Sequence, residues 1–432
     1  MIWRYFFFTI LITDSMSNNK LQPVRGTKDL FGSEIAKYNH IISTALNLAK
    51  NFGFEELQTP IFEFSEIFEK NLGDDSDIVT KEVYKFLDRS NNSITLRPEF
   101  TASIVRALIS NGEFLQKLPK KFFSFGPIFR YDRPQKGRQR QFNQINFELF
   151  GEDDVCSDLE ILILSQNILK NLNILNNVQL NINSIGCQIT KKNYENALKN
   201  YFEKYKNDLS ADSQNRLIKN SLRILDSKDE NDIKLIKDAP IIASFYSKES
   251  QERFDKLINY LEKFSIKYLV NYHLVRGLDY YTSLVFEYVM ESEGAQNAVL
   301  AGGRYDDLVY KMSNEKVPAI GFAGGIERLM LLINDIDNSK RPIFVNYISE
   351  NEKIYAFEVA NKLRLAGFYV EFIFDGNFKK QMKKSSILNA RYVIIIGENE
   401  LNNKEVVVKD FDNSNEFKVK QDLLIHYMRG KL

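Results

Sequence analysis

The densest group of chemically capable side chains lies in FRYDRPQKGRQRQF, residues 129–142. A guanidinium group can donate two parallel hydrogen bonds to phosphate oxygens, and Phe142 could stack on a flat base. The same composition is also typical of a solvated, positively charged loop. The segment alone therefore leaves both interpretations open. Segment 129–142 contains one acidic residue, Asp132. Its basic residues are Arg130, Arg133, Lys136, Arg138 and Arg140.

Two further arginines lie in glycine-containing segments far along the chain. Arg276 stands in VRGLDYYT and Arg328 in GGIERLMLLI. Taken alone, Arg276 followed by glycine is typical of a turn, and Arg328 could be an ordinary helical salt-bridge residue. Together with the basic loop, however, these arginines favour contact with phosphate oxygens over a merely solvated loop.

A row of polar residues follows the basic loop at a spacing of two. Gln144, Asn146 and Glu148 should therefore project from one face of a strand. Such a row is unusual for a packing surface and indicates a polar pocket. Glu99 in LRPE adds a second carboxylate, which at a helix start could equally pair with the helix dipole. A pocket holding both carboxylates would bind a cationic group.

The elements that position these residues can be predicted from apolar spacing. Residues 33–51 predict a helix that Gly53 ends, followed by an extended segment with Pro60 at a strand end. ITLRPEFTASIVRALI predicts a strand, a tight turn and a helix with Pro98 in its first turn. Residues 120–151 predict an antiparallel hairpin whose long tip is the basic loop.

The rest of the chain predicts a helical stretch, a return to β structure and a separate carboxy-terminal unit. Lysine, asparagine, glutamate and leucine at helical spacing predict a helical insertion at about 188–268. Strand-like and helical runs alternate after residue 341, which predicts a small α/β domain with a mainly parallel sheet. We expect domains at 17–335 and 341–432, preceded by an extension at 1–16.

Composition narrows the function classes. The 432 residues are too many for one hydrophobic core and predict two or three domains. Lys and Arg number 58 against 57 Asp and Glu, so any binding of a polyanion must come from local patches. The 2 cysteines and 3 histidines argue against a disulfide framework, a zinc cluster and histidine-centred hydrolysis. The cysteine usage fits a reducing compartment.

The apolar run IWRYFFFTILI near the amino terminus is too short to span a bilayer, which needs about 20 residues. No clear secretory cleavage signal follows it. We expect Met16 to be the working start, with a disordered or targeting extension as the alternative. An intact peptide containing Trp3 from the natively expressed protein would contradict the shorter start.

Taken in order, these segments resemble a known family. FGPIFRYDRPQKGRQRQFNQINFELFG is similar to motif 2 of class II aminoacyl-tRNA synthetases, GFAGGIERLMLL to motif 3, and the helix and strand ending at Pro60 to motif 1. LVRGLDYYT and AGGRYDDL resemble the signatures specific to histidyl-tRNA synthetases. The resemblance runs from about residue 20 to the carboxy terminus.

The resemblance implies an α+β catalytic domain, an antiparallel sheet flanked by helices, with a helical insertion and a C-terminal α/β anticodon-binding domain. It implies a cytoplasmic homodimer, formed through motif 1, with no membrane partner. ATP, entering with Mg²⁺, would activate L-histidine with release of pyrophosphate, and histidine would then pass to the 3′ end of tRNA(His). No protein-ligated metal is expected, because an arginine occupies the α-phosphate position where other class II enzymes use one.

The resemblance also assigns roles to single residues. The expected catalytic residues are Arg276 and Arg130, at the α-phosphate. The other expected ATP contacts are Arg138, Phe142 and Arg328. The expected histidine contacts are Glu99, Thr101, Gln144, Glu148, Tyr280, Tyr281 and Tyr305. The expected tRNA contacts are Arg133, Gln135 and Lys136 at the acceptor end and Lys379, Lys380, Lys383 and Lys384 near the anticodon.

Two departures and two alternatives accompany this assignment. Asp132 stands where the class usually has glutamate, and Phe100 where many relatives have glycine, so local geometry there stays open. The first alternative is the histidyl-synthetase-like regulatory subunit of ATP phosphoribosyltransferase, a non-enzyme expected to lack the carboxy-terminal domain and parts of the signatures. The second is a class II synthetase for proline, threonine or glycine, against which LDYYT and GGRYDD argue.

Overall fold

The computed structural model describes residues 21–69, 82–277, 280–290, 298–335 and 341–431. The chain forms two compact units that divide after residue 336. The expected extension at 1–16 and the start at Met16 lie outside the described residues. None of the helices in the described ranges is long and apolar enough to cross a membrane.

The first unit contains helices and strands that are numbered here in chain order. The helices are α1 (Gly32–Asn51), α2 (Glu66–Glu69), α3 (Thr101–Ser110), α4 (Gly112–Gln116), α5 (Val155–Asn171), α6 (Gln188–Glu203), α7 (Ala211–Lys219), α8 (Glu230–Lys237), α9 (Lys248–Lys263), α10 (Asp307–Ser313) and α11 (Ile326–Leu332). The strands are β1 (Glu55–Glu56), β2 (Phe62–Phe64), β3 (Tyr84–Leu87), β4 (Ser93–Leu96), β5 (Lys120–Phe129), β6 (Gln141–Phe150), β7 (Val178–Ser184), β8 (Leu269–Val270), β9 (Thr282–Met290), β10 (Ala298–Arg304) and β11 (Ala319–Gly325).

The main sheet has the order β1-β5-β6-β11-β10-β9-β7-β8, and β2, β4 and β3 form a smaller sheet. The central pairs are antiparallel, as predicted, but β1 pairs with β5 and β7 with β8 in parallel. A parallel pair needs a long crossover connection, which the helices between β7 and β8 supply. The sheet is therefore mixed at its edges and antiparallel where it carries the site.

The predicted hairpin is present as β5 and β6, paired antiparallel from Lys120↔Phe150 to Phe129↔Gln141. Alternation along β6 sends Ile145, Phe147 and Leu149 into a buried core. That core also contains apolar residues of α1, α5 and α9, so helices cover this face of the sheet. The other face of β6 is left for the polar row.

Helix α1 ends as predicted. Its cap residue is Phe52, and Gly53 follows with φ +74°, a conformation that glycine adopts without strain. Pro98, by contrast, lies in the turn before α3 rather than in the first turn of that helix, which begins at Thr101. The predicted boundary was therefore three residues too early.

The predicted helical insertion is present as α6, α7, α8 and α9. Leu198 and Phe202 of α6 pack in the core on the α3 side, whereas Leu257 and Leu261 of α9 join the core beneath the sheet. The last helix of the stretch is thus part of the support of the sheet. The domain boundaries themselves stay predictions.

The second unit alternates strands and helices around one sheet of order β13-β12-β14-β15-β16. Strand β12 is parallel to β13 and β14, but β15 is antiparallel to β14 and to β16. The prediction of a mainly parallel sheet was wrong for the last two strands, because their connections are too short for a crossover. The elements are β12 (Ile343–Tyr347), α12 (Lys353–Leu365), β13 (Val370–Phe372), α13 (Phe378–Ile387), β14 (Tyr392–Ile396), α14 (Glu398–Asn403), β15 (Glu405–Asp410), β16 (Glu416–Lys420) and α15 (Leu424–Arg429).

Candidate active site

Arginines from distant parts of the chain line one cavity of the first unit. Arg130 follows the end of β5, Arg276 lies in the segment before β9, and Arg328 is in α11. The cavity opens to solvent, and the space between its walls, with the solvent at its mouth included, is about 1040 Å³. The lining includes every residue predicted to bind ATP or histidine: Glu99, Thr101, Arg130, Arg138, Phe142, Gln144, Glu148, Arg276, Tyr280, Tyr281, Tyr305 and Arg328.

Arg130 is held beside an aromatic ring. Its Nε donates to the carbonyl oxygen of Pro98 at 2.8 Å, and its guanidinium lies 5.4 Å from the ring centroid of Phe142. Burial lowers the pKa of Arg130. The backbone carbonyl fixes one edge of the guanidinium and carries no full charge, so the cation keeps its capacity for an anionic ligand.

Arg328 is also held by backbone carbonyls. Its Nη1 donates to Ala298 O at 2.8 Å and its Nε to Gly137 O at 3.3 Å. Burial, reinforced by repulsion from Arg130 and the other nearby arginines, lowers the pKa of Arg328 to about 10. This end of the cavity concentrates positive charge, and a polyanion bound there would relieve the repulsion.

Arg276 has a different partner. Its Nη1 donates to Oε2 of Glu287 at 2.9 Å, while its buried Nε has no hydrogen-bond partner among the described residues. Burial lowers the pKa of Arg276, but Glu287 and the weaker attraction of other nearby groups, Asp226 among them, together outweigh it, so the pKa of Arg276 is raised. Arg138, in turn, is paired with Asp132 and lies 3.8 Å from Glu82.

The opposite end of the cavity is built around the Glu148 carboxylate. It accepts hydrogen bonds from Thr101 Oγ1 at 2.5 Å, from Asn146 Nδ2 at 2.9 Å and from the Tyr305 hydroxyl. Burial raises the pKa of Glu148 to about 7 in spite of these donors. The carboxylate is therefore fixed in place and ready to take either protonation state near neutral pH.

Glu99 combines the two roles that the sequence left open. Its carboxylate accepts the N–H groups of Thr101 at 2.5 Å and Ala102 at 2.7 Å, at the start of α3. It also lines the cavity, and burial raises its pKa. Nearby, Gln144 Oε1 is buried and has no hydrogen-bond partner in the described part of the chain. That oxygen remains free to accept a donor from a ligand.

Glycines make room for this end of the cavity. Gly321 in β11 lies opposite Glu148 in the sheet register, and a Cβ there would come within 1.6 Å of Glu148 Oε2. At Gly302, a Cβ would come within 2.1 Å of the Gly321 carbonyl oxygen. The glycine-rich segments thus position a buried carboxylate that larger residues would displace.

Comparison with known proteins agrees with the family that the sequence motifs resemble. The sequence profile of histidyl-tRNA synthetase matches residues 26–329, and that of the anticodon binding domain matches residues 343–431. The chain belongs to the histidyl-tRNA synthetase family. It is 52% identical over 401 residues to the histidine–tRNA ligase of Wolbachia pipientis subsp. Culex pipiens (strain wPip), covering 93% of this chain and 98% of that one. The histidine–tRNA ligase of Orientia tsutsugamushi (strain Boryong) is 47% identical over 417 residues, covering 95% and 99%.

Solved structures agree. Apo histidyl-tRNA synthetase of S. aureus superposes with a TM-score of 0.78 at 30% identity, covering 94% of this chain and 99% of that one. An ATP phosphoribosyltransferase regulatory subunit/histidyl-tRNA synthetase from Bacillus halodurans matches with a TM-score of 0.63 at 21% identity, over 87% and 98% of the two chains, which shows the shared fold alone. The class II histidyl-tRNA synthetase fold is thereby confirmed, and the regulatory-subunit alternative is not favoured.

The two departures from the family pattern have local explanations. Asp132 forms an ion pair with Arg138, so its side chain, which is shorter than that of glutamate, has its partner within the motif 2 loop. Phe100 has φ −91°, which requires no glycine, and its buried ring packs 4.2 Å from the guanidinium of Arg97. The turn before α3 therefore accommodates a large side chain.

Two carboxylates at the site were missed from the sequence. Glu287 holds Arg276, and Glu327 accepts three hydrogen bonds from Asn143, at 2.9 to 3.0 Å. Glu327 thereby ties α11 to the start of β6, next to Phe142. Its position directly before Arg328 in the motif 3 segment was the available signal. Nothing comparable in FEYV marked Glu287.

The residues predicted to contact tRNA lie outside the cavity lining. Arg133, Gln135 and Lys136 are exposed at the tip of the β5–β6 hairpin, where Gln135 and Arg138 exchange two backbone hydrogen bonds of 3.1 and 2.9 Å. In the second unit α13 buries Gln381 and Ser385. Its exposed side chains include those of Lys379, Lys380, Lys383 and Lys384.

Within the described ranges, no group of three or more histidine, cysteine, aspartate or glutamate side chains could hold a metal ion. The expectation that the reaction needs no protein-ligated metal stays a prediction.

Proposed function

We propose that this histidine–tRNA ligase forms histidyl-adenylate in the arginine-lined cavity and then transfers histidine to tRNA(His). The observation that carries the proposal is the meeting of Arg130, Arg276 and Arg328 beside a pocket of buried carboxylates. Cations at one end suit a triphosphate, and acids with tyrosines at the other suit an amino acid whose side chain has two nitrogens.

ATP enters with Mg²⁺ as a substrate and places its adenine on Phe142. Arg130 and Arg276 contact the α-phosphate, where negative charge grows as the phosphorus becomes pentavalent. Arg138 and Arg328 take the outer phosphates. Because the guanidinium groups are already in place, they stabilise that charge without reorganisation.

Histidine occupies the acidic end. Glu99 binds its amino group, and the polar atoms of Glu148, Gln144 and the tyrosines read the imidazole nitrogens. Thr101 and Tyr305 hold Glu148 in place through their hydrogen bonds. An amino acid that leaves these buried groups unsatisfied is rejected at the cost of their desolvation.

The first step is in-line attack by a histidine carboxylate oxygen on the α-phosphorus. The new P–O bond forms as the bond to the bridging oxygen breaks, and pyrophosphate leaves with the electron pair. In the second step a terminal ribose hydroxyl of tRNA attacks the acyl carbon and AMP leaves. A phosphate oxygen of the adenylate accepts the hydroxyl proton, so positioning carries the rate.

The tRNA is held at both ends. Arg133, Gln135 and Lys136 approach the acceptor end, and the exposed lysines of α13 contact phosphates near the anticodon. The enzyme acts in the cytoplasm as a homodimer formed through the motif 1 region.

ATP–pyrophosphate exchange with each of the twenty amino acids tests the proposal. Exchange with histidine alone is the expected result. Exchange with no amino acid would return the regulatory-subunit alternative, and exchange with proline, threonine or glycine but not histidine would indicate another class II specificity. Charging of tRNA(His) transcript in the same preparation checks the second step.

A further inference from the structure

Glu287, the partner of Arg276, lies on a strand inside the main sheet. It lies in β9, which pairs with β7 and β10 on its two sides, at Asn181 and Ala301. Its neighbours Phe286 and Tyr288 point into the core beneath the sheet, so Glu287 points to the opposite face. The backbone that carries the carboxylate is therefore held by sheet pairing on both sides.

Arg276 is anchored much less. It lies in the irregular segment between β8 and β9, directly before Gly277. Its hydrogen bond to Glu287 joins side chains 11 residues apart at 2.9 Å, and its side chain is 23% exposed. A long side chain on a loop needs such a partner to hold one orientation, because fixing its rotamers costs entropy.

The partner is also chemically distinct from those of Arg130 and Arg328, although Arg138 likewise pairs with a carboxylate, that of Asp132. Arg130 and Arg328 rest on backbone carbonyls, which are neutral. Arg276 is among the cations that repel Arg328 across the cavity. Glu287 supplies the negative charge that keeps Arg276 in this crowded group before a nucleotide arrives.

We propose that Glu287 is a positioning residue for adenylation, which holds Arg276 by Nη1 and leaves its Nε edge to meet the α-phosphate. The inference rests on the proposed catalytic role of Arg276. Glu287 acts through that arginine and makes no contact of its own with the reacting atoms.

The test is a double-mutant cycle of Glu287→Gln and Arg276→Ala in the full-length protein, measured by ATP–pyrophosphate exchange. Glu287→Gln should lower kcat on the order of 10- to 100-fold and leave the KM for histidine within about twofold. In the Arg276→Ala background, Glu287→Gln should cause no further loss, because the two residues act as a unit.

The matched control is Glu160→Gln. Glu160 lies on α5, away from the cavity, and its half-buried carboxylate pairs with Lys121. It should leave exchange unchanged, and thermal melting should show both glutamine variants folded. If the losses of exchange activity in the two single variants add in the double variant, the positioning role of Glu287 is wrong, whereas the proposed function stands. Recovery of Glu287→Gln by excess Mg²⁺ or Mn²⁺ would also overturn the positioning role, since it would make Glu287 a metal ligand. If Arg276→Ala itself leaves exchange intact, the proposed role of Arg276 fails first.

Discussion

The two ends of the cavity are built on opposite plans. At the proposed phosphate end, Arg130 and Arg328 rest on neutral carbonyls, and burial together with repulsion from Arg130 and other arginines lowers the pKa of Arg328, so positive charge is concentrated there. At the histidine end, Glu148 already accepts from three side-chain donors. The arginines at the first end are held in place but repel one another until an anion binds, whereas the carboxylate at the second end has its donors before any ligand binds. Under the proposed function, the first end serves the reaction and the second serves selection.

The largest expected effect is a loss of adenylation rate from a change at the arginine-lined end of the cavity alone. Arg276→His should lower the adenylation rate by about 100-fold or more, because it removes a preorganised cation from the transition state. Histidine affinity should stay nearly unchanged, since the acidic end is untouched. Pre-steady-state adenylation and equilibrium histidine binding measure the two quantities. A variant that binds histidine poorly and turns over normally would show that Arg276 has been assigned to the wrong end.

The converse change is made at the end of the cavity built around Glu148 and should weaken histidine binding. Glu148→Gln should weaken histidine binding about 100-fold, because a hydrogen bond to a buried charged group is worth about 1.5–3 kcal/mol and its donors are left mismatched. Tyr305→Phe removes a single donor and should weaken binding about 10-fold. Binding of ATP, followed by fluorescence titration, should stay the same in both. Equal losses for the two ligands would mean that the ends are not separate.

The pH dependence of the free energy of unfolding tests the same comparison. Burial raises the pKa of Glu148 to about 7, so between the unfolded value and about 7 the native state binds a proton that the unfolded state lacks. The stabilisation is complete at low pH and is lost as pH rises to about 7. Relative to Glu148→Gln, the free energy of unfolding of the wild type should fall by about 1.4 kcal/mol per pH unit in that window. Urea denaturation at several pH values measures it, and parallel profiles would contradict the raised pKa.

The smallest expected effect lies outside the cavity. Lys380→Ala combined with Lys383→Ala should raise the KM for tRNA a few-fold and reduce its salt dependence, because two phosphate contacts are lost. Pyrophosphate exchange should not change. Lys362→Ala, an exposed lysine on α12, is the control. If the control and the double variant behave alike, the exposed face of α13 makes no specific contact with tRNA.

The sequence predicted best where one element carries the pattern. Gln144, Asn146 and Glu148 lie at period two on a single strand, so their common face follows from strand geometry alone. The basic hairpin loop and the glycine-rich segments were also readable, because turn chemistry and β propensity are local properties. The convergence of the arginines, by contrast, was a hypothesis that rested on the family resemblance.

What the sequence could not show depends on contacts between distant residues. Glu327 bonds to Asn143 across 184 positions, and Glu287 meets Arg276 only because a sheet strand and a loop come together. Strand direction in the second unit failed for a different reason. The connections from β14 to β15 and from β15 to β16 are too short for the crossover that parallel strands need, and the prediction took strand direction from the alternation with helices alone.

The most direct test of the two-ended cavity is a crystal structure of the full-length protein with ATP and histidinol. The α-phosphate should lie between Arg130 and Arg276, with Arg328 on the triphosphate and the imidazole ring against Glu148. A triphosphate bound on another surface, or an imidazole among the arginines, would contradict the account.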